Sequence, residues 1–360
     1  MEALVALSDG TVFNGTAFGA PGESSGEMVF NTSMTGYQEV LTDPSYAGQI
    51  VSMTYPMIGN YGVTPNDEES SQPQVRGFVV KESSRIYSNW RAKNSLPEYL
   101  KKHSVIGIEG IDTRELTRLV RIRGTMNAIL STEDLNPESL VNKAKAWNGL
   151  DGLDMAAQVS CGHSYKVTVE NPSYHVVALD FGIKRNIVNC LNKIGCDVTV
   201  VPATTEANEI LALKPDGIFL SNGPGDPRPL RYAISTCKNL IGHKPIFGIC
   251  LGHEIIGLAF GAKIIRLKYG HRGANQPIKD EATGRILITS ENHGWAIDPS
   301  SLPSEINITR SNLNDGCVEG LQHKELPVFS IQCHPEASPG PHDSMHLFSH
   351  FATLMKQYSN

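Results

Sequence analysis

The stretch IFGICLGHEIIGLAFGA places one cysteine, Cys250, where an apolar run gives way to a helical pattern. Gly248 and Gly252 flank it, and a nucleophile between two such glycines is typical of a sharp strand-to-helix turn that exposes the central side chain. The first turn of the following helix supplies backbone N–H groups and a positive dipole end, which favour a thiolate and can stabilise an oxyanion. The pattern indicates a nucleophile. For this motif taken alone, a small buried thiol at a tight turn is the alternative.

A base and a group to orient it occur near the end of the chain, in FSIQCHPEASPGPHD. His334 follows an apolar strand pattern, and Glu336 comes two residues later, after Pro335. Because proline fixes its φ angle, the imidazole and the carboxylate can lie on the same side of the chain. A carboxylate that holds one imidazole nitrogen leaves the other to take the proton of a thiol. Alone, the pair could be a surface histidine and glutamate; with Cys250 it predicts a Cys–His–Glu triad.

A glycine-containing loop, in FLSNGPGDP, is the third candidate feature. An apolar strand pattern ends there in Gly223, Pro224 and Gly225. Such a loop lets backbone N–H groups approach a ligand closely, although alone it would be interpreted as a tight turn. It lies one strand–helix unit before Cys250. In a parallel sheet the two would therefore meet at the carboxyl ends of the strands, where open α/β sheets bind ligands.

The elements that position these residues follow from the pattern of residues 175–360. Apolar strand patterns alternate there with amphipathic helices on short connections, as in HVVALD, GIKRNIVNCLNKIG, DVTVVP and DGIFLS. The strands are apolar on both faces, which is typical of a buried parallel sheet. We therefore predict an α/β fold with a doubly wound, mostly parallel sheet in this part of the chain.

The earlier part of the chain has a different character. Residues 1–150 predict a mixed α/β domain, with a hairpin in ALVALSDGTVFNGTAFG and a helix in DTRELTRLVRIRG. That helix should begin after Asp112 or Thr113 and end at Gly124. Residues 151–174 contain Gly, Ser, Asn and Pro with weak periodicity and predict a linker.

Composition and charge exclude several classes of protein. The chain has 360 residues, of which 40% are hydrophobic and 19% charged, as in an ordinary globular protein. A formal net charge of −6 without a basic stretch argues against nucleic acid as a partner. No apolar run reaches membrane-spanning length, and the start MEALVALSDG lacks the features of a signal peptide, so we expect a cytoplasmic protein with no membrane partner.

Four motifs together, GICLGH, SNGPGDP, ENHGWA and CHPEASPGPHD, resemble the class I (triad) glutamine amidotransferases. The N-terminal stretches FNTSMTGYQEVLTDPSYAGQIV and GIDTRELTRLVR resemble more narrowly the small, glutamine-hydrolysing subunit of carbamoyl-phosphate synthetase. They distinguish this family from the amidotransferase components of anthranilate and GMP synthetases. The resemblance covers nearly the whole chain.

The resemblance implies hydrolysis of glutamine to glutamate and ammonia. Cys250 would attack the side-chain amide, His334 would transfer protons, and Glu336 would orient His334. The resemblance also implies a set of residues that contact glutamine or its oxyanion: Ser45, Gly223, Gly225, Leu251, Glu254, Asn292, Gly294 and Trp295. Because Ser45 belongs to the N-terminal domain, its contribution requires that domain to pack against the site.

The resemblance further implies a separate large subunit that uses ATP, Mg²⁺ and bicarbonate to make carbamoyl phosphate, for arginine or pyrimidine biosynthesis. Residues 1–150 would contact it, and the two chains would form a heterodimer or a higher oligomer of heterodimers. This chain has no G-x-x-x-x-G-K-[ST] phosphate loop, so we expect no cofactor in it. We expect no metal either, since Cys250-x-x-His253 lacks a second pair with zinc spacing.

Glu254 departs from the family pattern, which has a glutamine at this place. It lies four residues after Cys250 and so on the same helix face. An ionised carboxylate cannot donate a hydrogen bond, and it opposes a nearby thiolate. We expect it to pair with the substrate ammonium or a nearby cation, which leaves activity intact. The alternative is that it weakens glutamine use, and the chain would then be a catalytically weak scaffolding or regulatory subunit.

Overall fold

The computed structural model describes residues 1–358 of the chain. It divides them into two compact units, Met1–Asp151 and the part from Gly152 onward. Among the described residues, every helix is too short or too polar to cross a membrane.

The first unit contains short strands and four helices. Its strands are β1 (Glu2–Leu7), β2 (Val12–Ala17), β3 (Glu23–Asn31), β4 (Gln49–Met53), β5 (Met57–Ile58), β6 (Gly77–Val79), β7 (Glu82–Ser83), β8 (Gly107–Glu109) and β9 (Met126–Ser131). Its helices are α1 (Tyr37–Thr42), α2 (Leu96–Lys102), α3 (Thr113–Arg123) and α4 (Pro137–Ala146). Seven of the strands close into a barrel in the order β1-β2-β8-β6-β4-β3-β9.

Local signals in the sequence account for the first hairpin and for helix α3. β1 and β2 pair antiparallel as the predicted hairpin. Helix α3 begins after Asp112, whose side chain accepts a hydrogen bond from the N–H of Glu115 at 2.9 Å. It ends at Gly124, which has a φ of 101°. The mixed α/β character predicted for this part of the chain is confirmed.

The second unit alternates strands and helices before it becomes β-rich. Its helices are α5 (Ala156–Val159), α6 (Arg185–Lys193), α7 (Ala207–Ala212), α8 (Arg231–Leu240), α9 (Leu251–Ala259) and α10 (His346–Tyr358). Its strands are β10 (Tyr165–Val167), β11 (Tyr174–Asp180), β12 (Cys196–Pro202), β13 (Gly217–Leu220), β14 (Ile246–Ile249), β15 (Ile264–Asp280), β16 (Ile286–Ile297), β17 (Ile306–Asn312), β18 (Val318–His323) and β19 (Val328–Ile331).

These strands form one ten-stranded sheet in the order β10-β12-β11-β13-β14-β19-β18-β17-β15-β16. Strands β12, β11, β13, β14 and β19 run parallel and form its centre. Strands β15 to β18 extend it with antiparallel pairs. The predicted α/β class is confirmed. The predicted linker, residues 151–174, contains α5 and β10, and β10 pairs with β12 at the edge of the sheet.

The parallel centre is covered on both faces, as a doubly wound fold requires. Alternate residues of β11 enter different cores. Val176 and Ala178 pack with side chains of α6 and α10, whereas Val177 and Leu179 pack with side chains of α7, α8 and α9. This two-residue alternation within an apolar run explains why the strand sequence is hydrophobic throughout.

Candidate active site

Cys250 sits at a strained corner between β14 and α9. Its φ of 53° and ψ of −107° are unusual for a residue with a side chain. Neither flanking position has room for a residue larger than glycine. A Cβ on Gly252 would lie 2.2 Å from the carbonyl oxygen of Leu220, and one on Gly248 would lie 2.6 Å from Cδ1 of Ile256. The strand and the helix therefore meet more closely than any larger residue would allow.

The thiol of Cys250 lies against strand β16. Its Sγ is 3.7 Å from the backbone oxygen of Asn292, within reach of an S–H···O hydrogen bond. The cysteine side chain is buried. Two further residues expected at the site, Gly294 and Trp295, continue the same strand. The guanidinium of Arg228 stacks over the Trp295 ring, 4.3 Å from its centroid.

The loop that follows β13 packs against the first turn of α9. The N–H of Gly252 donates to the carbonyl oxygen of Ser221 at 3.0 Å. A Cβ on Gly223 would lie 2.7 Å from Cδ2 of Leu251, and Gly225 has a φ of 83° in the same loop. The structure therefore brings the glycine loop and Leu251 together at the carboxyl ends of two adjacent parallel strands.

His334 and Glu336 are paired in the interior of the second unit. Nδ1 of His334 lies 2.7 Å from Oε1 of Glu336, and both side chains are buried. An ionised carboxylate only accepts hydrogen bonds, so Nδ1 carries the proton and Nε2 presents a lone pair. Nε2 is also buried and has no hydrogen-bond partner among residues 1–358. A base nitrogen without a partner is what a thiol nucleophile requires.

A backbone bond places this histidine next to the strand that touches the thiol. The N–H of His334 donates to the carbonyl oxygen of Ser290 at 2.8 Å. Ser290 lies two residues before Asn292, whose backbone oxygen lies against the Cys250 thiol. The nucleophile and the histidine are thus held by neighbouring parts of β16.

Lys184 lies beside the His334–Glu336 pair, and the sequence analysis missed it. Its Nζ lies 2.9 Å from Oε1 of Glu336 and donates to the backbone oxygens of Ala337 and Ser338 at 2.6 and 3.1 Å. Burial alone would raise the pKa of Glu336, but the charges and hydrogen bonds of Lys184 and His334 outweigh it and hold that pKa at about 2. The sequence shows only the position of Lys184, which follows the apolar strand HVVALD at the ligand-binding edge of the sheet; it does not show the partner.

Glu254 is buried in α9 and contacts an amide. Nε2 of Gln332 donates to its Oε1 at 3.2 Å. The expected pairing with the substrate ammonium or a nearby cation remains a prediction. Burial raises the pKa of Glu254 well above its usual range, and the charge of Asp226 raises it further. The neighbouring His253 is kept neutral, because burial lowers its pKa to about 3.

Ser45 belongs to the first unit. It lies in a short 3₁₀ turn, Pro44–Tyr46, where its N–H donates to Oδ1 of Asp43 at 2.9 Å. Its contribution to the site remains a prediction.

The class of the second unit follows from its sheet, its elbow cysteine and its buried His–Glu pair. Residues 177–354 match the family model for class-I glutamine amidotransferases. Residues 5–130 match the model for the CPSase domain of the carbamoyl-phosphate synthase small chain.

Curated relatives match over the full length. The carbamoyl phosphate synthase small chain of Syntrophotalea carbinolica is 54% identical and aligns with 99% of this chain and 98% of its own. That of Chlorobaculum tepidum is 53% identical and aligns with 100% of this chain and 99% of its own. The chain belongs to the family of carbamoyl phosphate synthase small chains. The resemblance drawn from the motifs is confirmed, and so is the enzyme class, a glutamine amidotransferase.

Proposed function

We propose that this chain hydrolyses glutamine through Cys250, His334 and Glu336 and passes the ammonia to a separate large subunit for carbamoyl phosphate synthesis. The observation that carries the proposal is the buried Nε2 of His334. This nitrogen has no partner among the described residues, while Nδ1 is fixed by Glu336. Such a base is costly to bury unless a reacting group uses it.

In the first half of the reaction, Nε2 of His334 takes the thiol proton and Sγ of Cys250 attacks the side-chain amide carbon of glutamine. The carbonyl oxygen becomes an oxyanion, which the backbone N–H groups of Leu251 and the Gly223–Gly225 loop stabilise. The C–N bond then breaks. His334 returns its proton to the leaving nitrogen, so that ammonia and a γ-glutamyl thioester form.

In the second half, water replaces ammonia beside His334. The imidazole removes a proton from this water as it attacks the thioester carbon, through the same oxyanion position. The C–S bond breaks, the proton passes to the cysteine sulfur, and glutamate leaves. Glu336 stays ionised throughout and stabilises the transient imidazolium, and Lys184 keeps that carboxylate in place.

Glutamine binding involves, in this proposal, Ser45, Asn292, Gly294 and Trp295 together with Glu254. The raised pKa of Glu254 supports its role, because a neutral carboxyl group has an O–H that can donate a hydrogen bond as an amide N–H does. Its hydrogen bond from Gln332 fixes the side chain within α9. A buried, neutral glutamate therefore favours retained activity over the scaffolding alternative.

The partner is a large subunit that binds ATP and Mg²⁺. Support comes from the relatives, which are named small chains, and from the match of residues 5–130 to the small-chain domain model. We further propose that the two chains assemble as a heterodimer or an oligomer of heterodimers in the cytoplasm, and that no cofactor of this chain takes part in the hydrolysis.

A glutamine analogue with an electrophilic diazo ketone in place of the amide tests the site directly. We expect mass spectrometry of the labelled chain to find one modified cysteine, Cys250, and glutamine to protect it. Cys250→Ser should abolish labelling, and His334→Asn should slow it by about a hundredfold. Cys237→Ser, which removes an equally buried thiol of α8, is the matched control. Labelling that is spread over several cysteines and unaffected by glutamine would support the scaffolding alternative.

A further inference from the structure

A second cluster of buried titratable side chains lies in the antiparallel part of the sheet. It consists of His271 from β15, Glu291 and His293 from β16, and Glu319 from β18. All four side chains are buried. One nitrogen or oxygen atom from each lies within 4.8 Å of the corresponding atoms of the other three. The proposed hydrolysis does not use any of them.

The spacing of these atoms approaches that of a metal coordination sphere. Oε2 of Glu291 lies 2.9 Å from Nδ1 of His271 and 3.3 Å from Nε2 of His293. Oε1 of Glu319 lies 3.9 Å from Nδ1 of His271. Tetrahedral zinc has bonds of about 2.0–2.2 Å to nitrogen and oxygen, which places neighbouring ligand atoms roughly 3.3 Å apart.

The outward nitrogen of each histidine is already held by an acceptor. Nδ1 of His293 lies 2.6 Å from the backbone oxygen of Trp295, and Nε2 of His271 lies 2.8 Å from Oδ2 of Asp315. A carbonyl or carboxylate oxygen accepts a hydrogen bond, so these outward nitrogens can carry the single proton of each neutral ring. In that tautomer the inward nitrogens present lone pairs toward Glu291, as a bound metal ion requires. This is the arrangement that orients histidine ligands in metal sites.

The buried carboxylate of Glu319 gives independent evidence for a bound cation. Its side chain is 0% exposed, and its Oε2 has no hydrogen-bond partner within residues 1–358. Its other oxygen, Oε1, accepts from Nδ2 of Asn312 at 3.2 Å. Two lone-pair nitrogens and two buried carboxylates that face one another repel unless a cation or added protons lie between them.

We propose that His271, Glu291, His293 and Glu319 bind a divalent transition-metal ion, with Zn²⁺ as the ion that this set of two imidazoles and two carboxylates suits best. The two carboxylates neutralise its charge, and four protein ligands close the sphere, so the ion is structural. Glu291 and His293 flank Asn292, so the ion fixes the strand against which the Cys250 thiol lies. The ligands come from three strands, and for this reason no short spacing in the sequence indicated a metal.

The full chain, purified without a metal-affinity tag or chelator, provides the test. After dialysis with ZnCl₂ and then without it, inductively coupled plasma mass spectrometry should find about one Zn²⁺ per chain. Exchange with Co²⁺ should give the visible absorption of a tetrahedral site. His271→Gln and Glu319→Gln should lose the bound ion. Asp315→Asn, which replaces the carboxylate behind His271 with a neutral amide, should weaken binding by about tenfold to a hundredfold.

Controls separate this site from adventitious binding. Glu305→Gln removes an exposed glutamate, and Cys250→Ser removes the reactive thiol; both should retain the ion. Circular dichroism establishes that each variant is folded. If Glu319→Gln does not fold, the zinc content of Asp315→Asn tests the proposal. The Asp315 side chain is 40% exposed, so its substitution should leave the chain folded. Two results would contradict the proposal and show that protons rather than a metal occupy the cluster. The folded wild-type chain could retain no Zn²⁺. Alternatively, the folded His271, Asp315 and Glu319 variants could retain as much Zn²⁺ as the wild type.

Discussion

At the scale of single residues, the catalytic proposal depends on a chain of charges behind the nucleophile. Lys184 fixes Glu336, Glu336 fixes Nδ1 of His334, and Nε2 of the same histidine remains for the thiol. The lysine and the glutamate are both buried, with side-chain exposures of 3% and 0%. Solvent therefore does not screen the attraction between their charges. Loss of either partner leaves the other as a buried, uncompensated charge.

Lys184→Met should therefore destabilise the chain by about 3–5 kcal/mol, the usual cost of breaking a buried pair. It should also lower kcat more than it raises the KM for glutamine, because the carboxylate that orients His334 loses its anchor. Urea unfolding and steady-state glutaminase assays measure the two effects. Lys279→Met removes a half-buried lysine at the surface that pairs with Glu281, and it should have little effect on either quantity. Equal losses of stability in the two variants would contradict the role of Lys184.

Glu254 gives a pH-dependent prediction at the same scale. Its pKa is raised by burial, so the neutral form, which has an O–H to donate, is populated below that pKa and the ionised form above it. The KM for glutamine should therefore rise as the pH is raised through this pKa. In Glu254→Gln the same dependence should be absent. Near neutral pH the two KM values should differ by less than about tenfold, since one hydrogen bond contributes about 0.5–1.5 kcal/mol.

The same pKa shift has a consequence for folding. The folded chain holds the Glu254 proton more tightly than the unfolded chain does, so stability falls as the pH rises from the usual glutamate range through the raised pKa. Denaturant unfolding at several pH values should show this decline in the wild type and a smaller decline in Glu254→Gln. Parallel pH profiles for the two proteins would contradict a buried, protonated Glu254.

At the scale of elements, the elbow between β14 and α9 is the most constrained feature. The left-handed φ of Cys250 persists because the strand and the helix meet closely, and that approach depends on the glycines on either side. The antiparallel strand β16 forms the opposite wall. Glu291 and His293 point to one of its faces, and Asn292 between them presents its carbonyl to the thiol.

Gly252→Ala tests the packing of this elbow. The added Cβ would meet the carbonyl oxygen of Leu220 at 2.2 Å, so the start of α9 must move. We expect the variant to lose about 1–3 kcal/mol of stability. The folded variant should also have a reduced kcat, because the thiol moves with the helix. Gly162→Ala is the control, since its Cβ would meet no atom of residues 1–358 within 4 Å. Full activity in the Gly252 variant would show that the close approach is not needed for catalysis.

The elbow, the parallel strands and the start of α3 could be predicted from the sequence because their signals are local. The glycine–cysteine–glycine spacing, the apolar runs of the parallel strands and the cap of α3 each lie within a few residues of sequence. Lys184 was missed because its partner, Glu336, lies 152 residues away in the chain. The cluster of His271, Glu291, His293 and Glu319 was missed for the same reason, because antiparallel strand pairing brings these distant residues together. Interactions of this kind depend on register and burial, which a single sequence does not display.

At the scale of the whole molecule, the chain has two units with separate cores. The amidotransferase unit holds Cys250, His334 and Glu336 within one sheet and its edge loops, and in the proposed function these three residues carry out the hydrolysis. The barrel unit matches the family model for the small-chain domain. In the proposed function the small chain acts with a large subunit, and hydrolysis and synthesis must then be coupled.

The most direct measurement is glutamate release from glutamine by the purified chain, alone and with its large subunit, ATP and bicarbonate, beside Cys250→Ser. We predict that the partner increases the release and that the serine variant abolishes it in both conditions. The absence of release by the wild type even with the partner, or release that persists in Cys250→Ser, would contradict a coupled cysteine-dependent glutaminase.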